Sequence, residues 1–197
     1  VMIHQRHLNA LKYFAAESNE IDDFNVIKNY AQLTYLNLNS NSIDTISFLN
    51  CPNLKTLHLN NNAISDISIL ETMPSLTYLG LDHNDIYSIE ALEQLTNLES
   101  VFLNNNLIDS IAALKHLINV KNLHLNDNQI TSISAVNLKP DLAHLHVGNN
   151  LISDFDALQD LPHLKSLSID NNPINNLDFI SKFKNLELLY INPEMIT

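Results

Sequence analysis

The sequence predicts an α/β repeat protein, a stack of short strand–turn–helix units, on three observations. Asparagine recurs at Asn41, Asn62, Asn84, Asn106, Asn128, Asn150 and Asn172, at intervals of 22 residues with one of 21. Isoleucine follows two residues later each time, at Ile43, Ile64, Ile86, Ile108, Ile130, Ile152 and Ile174. Upstream lies the pattern L-x-x-L-x-L, as in Leu54, Leu57, Leu59 and again in Leu76, Leu79, Leu81. A fixed period of this length marks a repeat architecture, because no unit buries its apolar face alone while stacked neighbours do.

Each element of the unit has a physical reason. Leucines at period two mark a short strand with one buried face. The asparagine comes where the chain must turn away, and its amide can satisfy backbone groups that the turn leaves unpaired. Stacking then puts these amides in a buried column, each serving its neighbour's backbone as well as its own. After Ile64, the run Ser65-Asp66-Ile67-Ser68-Ile69-Leu70 carries apolar residues at offsets of three, the spacing of a 3₁₀ segment. Asp66, Asp109 and Asp154 stand at the starts of such segments, where capping accounts for them. Pro74, Pro140 and Pro162 fall in the loop ahead of the next strand, where a missing N–H does little harm.

The stretches Asn60-Asn61-Asn62-Ala63-Ile64-Ser65-Asp66-Ile67 and Asp127-Asn128-Gln129-Ile130-Thr131-Ser132-Ile133 carry a resemblance to the leucine-rich repeat family. It is closest to the 22-residue subclass of bacterial internalins and the phosphatase-1 regulatory-subunit type, and it runs from Leu33 to Asn192. The resemblance implies a right-handed solenoid with a concave parallel β-sheet and short 3₁₀ or α segments on the convex side. Seven full repeats begin at Leu33, Leu54, Leu76, Leu98, Val120, Leu142 and Leu164 and occupy 33–185. A partial eighth fills 186–197, where Asn192-Pro193-Glu194 puts glutamate at the asparagine position. Counting back from Leu33 reaches Leu11, with Phe14, Asn19 and Ile21 in matching places, so 1–32 reads as a helical cap followed by a degenerate first repeat. An unfinished last coil exposes core and strand edge. It predicts that the chain continues, or that a partner or second copy covers this end.

Composition narrows the function. With 197 residues, 45% hydrophobic and 16% charged, the chain is long and apolar enough to bury a core. Only ten lysines and arginines against a net charge of −12 argue against a phosphate-tracking nucleic-acid surface. One cysteine excludes an internal disulfide framework, and two glycines exclude a glycine-rich phosphate loop. Cys51 stands where other repeats carry Met73, Leu95, Leu117, Leu161 or Phe183, so it reads as inert packing. No apolar run is long enough to span a bilayer. The start at Val1 lacks a secretory-signal layout, and no Asn-x-Ser/Thr acceptor occurs among thirty asparagines. A cytoplasmic protein or a secreted bacterial effector is the expected compartment. No nucleophile–base pair, acid–base carboxylate pair or cofactor motif stands out, so the expectation is a non-enzyme without cofactor.

Positions flanking the strand leucines face the concave surface, because strand side chains alternate. They read Tyr35, Thr56, Tyr78, Ser100, Asn122, His144, Ser166 in one column and Asn37, His58, Gly80, Phe102, His124, His146, Ser168 in the next. A third reads Asn39, Asn60, Asp82, Asn104, Asn126, Gly148, Asp170. From these, Tyr35, Asn37, His58, Tyr78, Asp82, Phe102, His124, His144 and His146 are the predicted partner-binding residues, since aromatic side chains on one shared face suit an interface. Scattered surface aromatics are otherwise ordinary. His124, His144 and His146 are a weak metal candidate, three imidazoles leaving a position open for water. Nine histidines also predict an affinity that changes between pH 7.5 and 5.5. The expected function is a protein–protein interaction module, with charge favouring a basic partner at long range. The family resemblance implies a host receptor for internalin-like repeats and a scaffold role for cytosolic relatives. Alternatives are the recognition arm of a larger bacterial effector or enzyme, and carbohydrate binding through Tyr35, Tyr78 and Phe102.

Overall fold

The computed structural model describes residues 10–20, 30–47, 49–137, 139–156, 158 and 161–192. Among them nine three-residue strands form a single parallel sheet in chain order. They are β1 (Tyr13–Ala15), β2 (Tyr35–Asn37), β3 (Thr56–His58), β4 (Tyr78–Gly80), β5 (Ser100–Phe102), β6 (Asn122–His124), β7 (His144–His146), β8 (Ser166–Ser168) and β9 (Leu188–Tyr190). Short 3₁₀ turns such as Ser68–Thr72 and Ala112–His116 run along the opposite side. This is the leucine-rich solenoid that the period predicts. The expected helical cap over Val1–Ala10 lies outside the described residues except for Ala10, as does Glu194.

The central residue of each strand points inward, and register keeps these residues in one row. Leu36, Leu57, Leu79, Val101, Leu123, Leu145, Leu167 and Leu189 are successive partners. All but Leu189 are fully buried. The 21-residue interval does not disturb this row, for Leu36 still meets Leu57. Burying such a side chain contributes about 1.5–3 kcal/mol, so every coil adds to one continuous apolar core. At the far edge, β9 leaves Leu188 51% and Tyr190 51% exposed.

The asparagines carry the turn. Asn106 is 6% exposed. Its Nδ2 donates to the carbonyls of Leu81 at 3.0 Å, Leu103 at 3.2 Å and Asn104 at 3.2 Å, while its Oδ1 accepts from Ile86 N at 3.1 Å. Asn84, Asn128, Asn150 and Asn172 repeat the arrangement. Asn19 likewise bonds the carbonyls of Ala16 and Glu17. The residue before each of these asparagines has left-handed backbone, with φ of 51–57° from Ser18 to Asn171. Asn61, Asn105, Asp127, Asn149 and Asn171 suit that region, which most side chains avoid. A second set of amides closes the opposite bend, where Asn53, Asn97, Asn119 and Asn185 donate to carbonyls of the preceding coil.

One core position breaks the apolar pattern. Lys139 occupies the place held elsewhere by Cys51, Met73, Leu95, Leu117, Leu161 and Phe183, and it is fully buried. Its Nζ donates to the carbonyls of Leu114 at 2.7 Å and Leu117 at 3.1 Å.

Candidate functional site

Outward-facing strand residues build an unbroken row of rings across the sheet. Tyr13 stacks on Tyr35 with centroids 4.2 Å apart and planes within 5°. The row continues through His58 at 5.4 Å, Tyr78 at 4.5 Å, Phe102 at 5.2 Å, His124 at 4.7 Å and His146 at 4.4 Å. It ends on Tyr190, 6.2 Å from His146 and edge-on. Two side-chain gaps are bridged. Gly80 lies in register between His58 and Phe102, and the Tyr78 ring from the neighbouring column contacts both of their rings. Ser168 lies between His146 and Tyr190. Adjacent strands spaced about 4.8 Å apart make this row roughly 40 Å long.

Of the predicted residues, Tyr35, His58, Tyr78, Phe102, His124 and His146 belong to the row. Tyr13 and Tyr190 were missed, although each keeps the 22-residue spacing, from Tyr35 and from Ser168 respectively. His144 shares the face but is in register with Asn122 and Ser166, in the other column. Asn37 is 9% exposed. It donates to Glu17 Oε2 at 2.6 Å and accepts from Asn39 N at 3.0 Å. Asp82 Oδ1 accepts from Asn104 N at 2.7 Å, one step of a ladder in which Asn39, Asn60, Asn104 and Asn126 do the same. Asn37 and Asp82 therefore hold backbone and neighbours, which sequence position alone does not reveal. Among the described residues no group of three His, Cys, Asp or Glu side chains is placed to hold an ion.

Packing ring on ring changes the imidazoles. Burial pushes the pKa of His124 down to about 4, helped by repulsion from His146 and His144. Burial also lowers His146, again with repulsion from His144 and partly offset by Asp170, and it lowers His58. Each of these three rings therefore takes up its proton at lower pH than a free histidine does. His146 Nε2 lies 3.0 Å from Ser166 Oγ. Ser166 is only 2% exposed, so its hydroxyl fixes the ring rather than meeting a substrate. Burial pushes the Cys51 thiol up to about 11, far from the thiolate that reactivity requires.

The two flanks of the row differ in charge. Before the strands stand Lys12, Lys55, Lys121 and Lys165, with Lys121 paired to Glu99 at 2.8 Å and Lys165 to Glu187 at 3.8 Å. After the strands come Glu17, Asp82, Asp85, Asp127 and Asp170, without a lysine or arginine in the turns that follow β1 to β8.

The sequence matches the family description "Leucine Rich repeats (2 copies)" over residues 31–72 and 74–116, and "Leucine rich repeat" over 118–174. The chain belongs to the leucine-rich repeat family. An internalin (inlF) of Listeria monocytogenes superposes with a TM-score of 0.92 at 30% identity, over 95% of this chain and 58% of that one. Internalin C2 of the same organism gives a TM-score of 0.89 at 24% identity, over 96% and 84%. The leucine-rich repeat ectodomain of the Arabidopsis thaliana receptor kinase GASSHO1/SCHENGEN3, solved with CASPARIAN STRIP INTEGRITY FACTOR 2, gives 0.77 at 20% identity, over 84% and 22%. The latter two show the fold alone. The chain thus spans little more than half of the inlF structure's length. A search of curated proteins found no match.

Proposed function

We propose that this leucine-rich repeat chain is a non-catalytic module that binds a protein partner on its concave face. The observation that carries the reading is the row of eight rings joining β1 to β9. Ring pairs of this kind contribute about 0.5–1.5 kcal/mol each and arrive pre-ordered, so a partner meets them at low entropic cost. Aromatic side chains also dominate interface energetics, and a length near 40 Å suits a protein surface better than a small ligand. With likeness to internalins, a host protein is the partner class we favour. Because the chain spans 58% of the inlF structure, a larger protein with this segment as its recognition arm is the companion proposal.

Capture from a host-cell lysate tests the reading. Wild type is compared with a variant carrying Tyr35→Ala, Tyr78→Ala, Phe102→Ala and His146→Ala, whose fold is checked by circular dichroism. A specific protein band lost in the folded variant supports the concave face. A band retained by the variant overturns it, and retention of glycans instead of protein favours carbohydrate binding.

A further inference from the structure

The concave column after the strands loses a side chain at one place. Asn39, Asn60, Asp82, Asn104 and Asn126 each accept a hydrogen bond at Oδ1 from the backbone N–H of the next residue of the column, the last donated by Gly148 N to Asn126 at 2.7 Å. Gly148 has no side chain to accept the next one. Its neighbour Asp170 leans into the empty place: a Cβ at Gly148 would lie 2.5 Å from Asp170 Oδ1, and that oxygen accepts from Ser168 Oγ at 2.7 Å. Beside this gap opens a recess of about 520 Å³. Asp127, Asp170 and the chain from Leu189 to Ile191, with the outward Tyr190 ring at its centre, line it. It meets the acidic flank of the ring row at its C-terminal end.

We propose that this recess receives an arginine side chain of the partner, an inference that rests on the protein-binding reading above. Each part of the lining fits one part of that group. The Tyr190 face takes the planar guanidinium by stacking, and a carboxylate pairs with its N–H fork. The flank bearing Asp85, Asp127 and Asp170 and the net charge of −12 draw a cation to this side rather than to the lysine-bearing one. Lysine lacks the fork and the plane, and a metal lacks a sufficient ligand set here.

The probe is acetyl-arginine-methylamide, titrated into the isotope-labelled chain and followed by two-dimensional NMR, with the citrulline and lysine analogues alongside. Saturable shifts at Tyr190, Asp127 and Asp170 are expected in the millimolar range. Citrulline binds at least tenfold more weakly, and Asp127→Asn with Asp170→Asn weakens arginine at least fivefold. Equal binding of citrulline, shifts elsewhere, or no saturation overturns the proposal. The double Asp→Asn variant also enters the lysate capture. Loss of the band in both this variant and the ring variant supports the recess. Loss in the ring variant alone overturns the recess and leaves the concave reading intact, whereas retention by both overturns the concave reading itself.

Discussion

Lys139→Met places a methionine, the residue at Met73, in a position that the other coils fill with apolar groups. The native ammonium is fully buried, and among the described residues no carboxylate forms an ion pair with it. Burial pushes its pKa down to about 8 from the ordinary 10.5. The unfolded chain therefore holds this proton more tightly than the folded one. The resulting penalty is full below about pH 8 and fades as pH rises towards the unfolded value. At about 1.4 kcal/mol per pKa unit it amounts to roughly 3 kcal/mol at pH 7. The substitution removes two hydrogen bonds. Both acceptors keep a backbone donor, since Leu117 N reaches Leu114 O at 3.1 Å and Val120 N reaches Leu117 O at 3.5 Å. That loss is about 1 kcal/mol. The variant should gain about 2 kcal/mol at pH 7, with the gain vanishing near pH 10 and turning into a loss of up to about 1 kcal/mol above it. Urea unfolding at both pH values measures it. A variant less stable than wild type at pH 7, or a gain that does not change with pH, refutes the reasoning.

Asn106→Ala should cost about 3 kcal/mol in urea unfolding, because it strands the buried Ile86 N–H and takes one donor from each of three carbonyls. A loss below about 1 kcal/mol would mean that the amide column is not holding the turns. The lowered pKa values of His58, His124 and His146 make the folded state the weaker proton binder. Their contribution to stability is complete above the unfolded value of 6.5 and is lost as pH falls, for His124 over the window down to about 4. For His124 alone the loss is about 2–3 kcal/mol. His124→Phe should therefore flatten the decline of the melting temperature between pH 6.5 and 4; an unchanged slope contradicts the assigned shift.

The fold was legible because each coil solves the same problem with the same residues. Leucine at period two, asparagine at the turn and isoleucine two places on state the strand, the column and the core directly. Ring positions were legible for the same reason, since register follows from the period. Tyr13 and Tyr190 escaped notice because they sit in the end coils, where the leucine and asparagine pattern weakens while the spacing persists. The roles of Asn37 and Asp82 were hidden for a different cause. A polar side chain beside a strand can face a partner or accept a neighbouring N–H, and only the hydrogen bond decides. Lys139 is a single departure in an otherwise apolar series, and its cost depends on burial that one position does not announce. The imidazole shifts arise from ring-on-ring packing between residues 20 to 23 apart, a contact invisible to local sequence.

The histidines offer a direct test of the central claim, that stacked coils bring distant rings onto one docking face. His58, His124 and His146 lie in the ring row, while His116 and His163 are exposed away from it. Their imidazole proton signals can be followed by NMR as the captured partner is added. The account predicts that His58, His124 and His146 shift together while His116 and His163 stay fixed. Movement of His116 or His163 with an undisturbed row would contradict it.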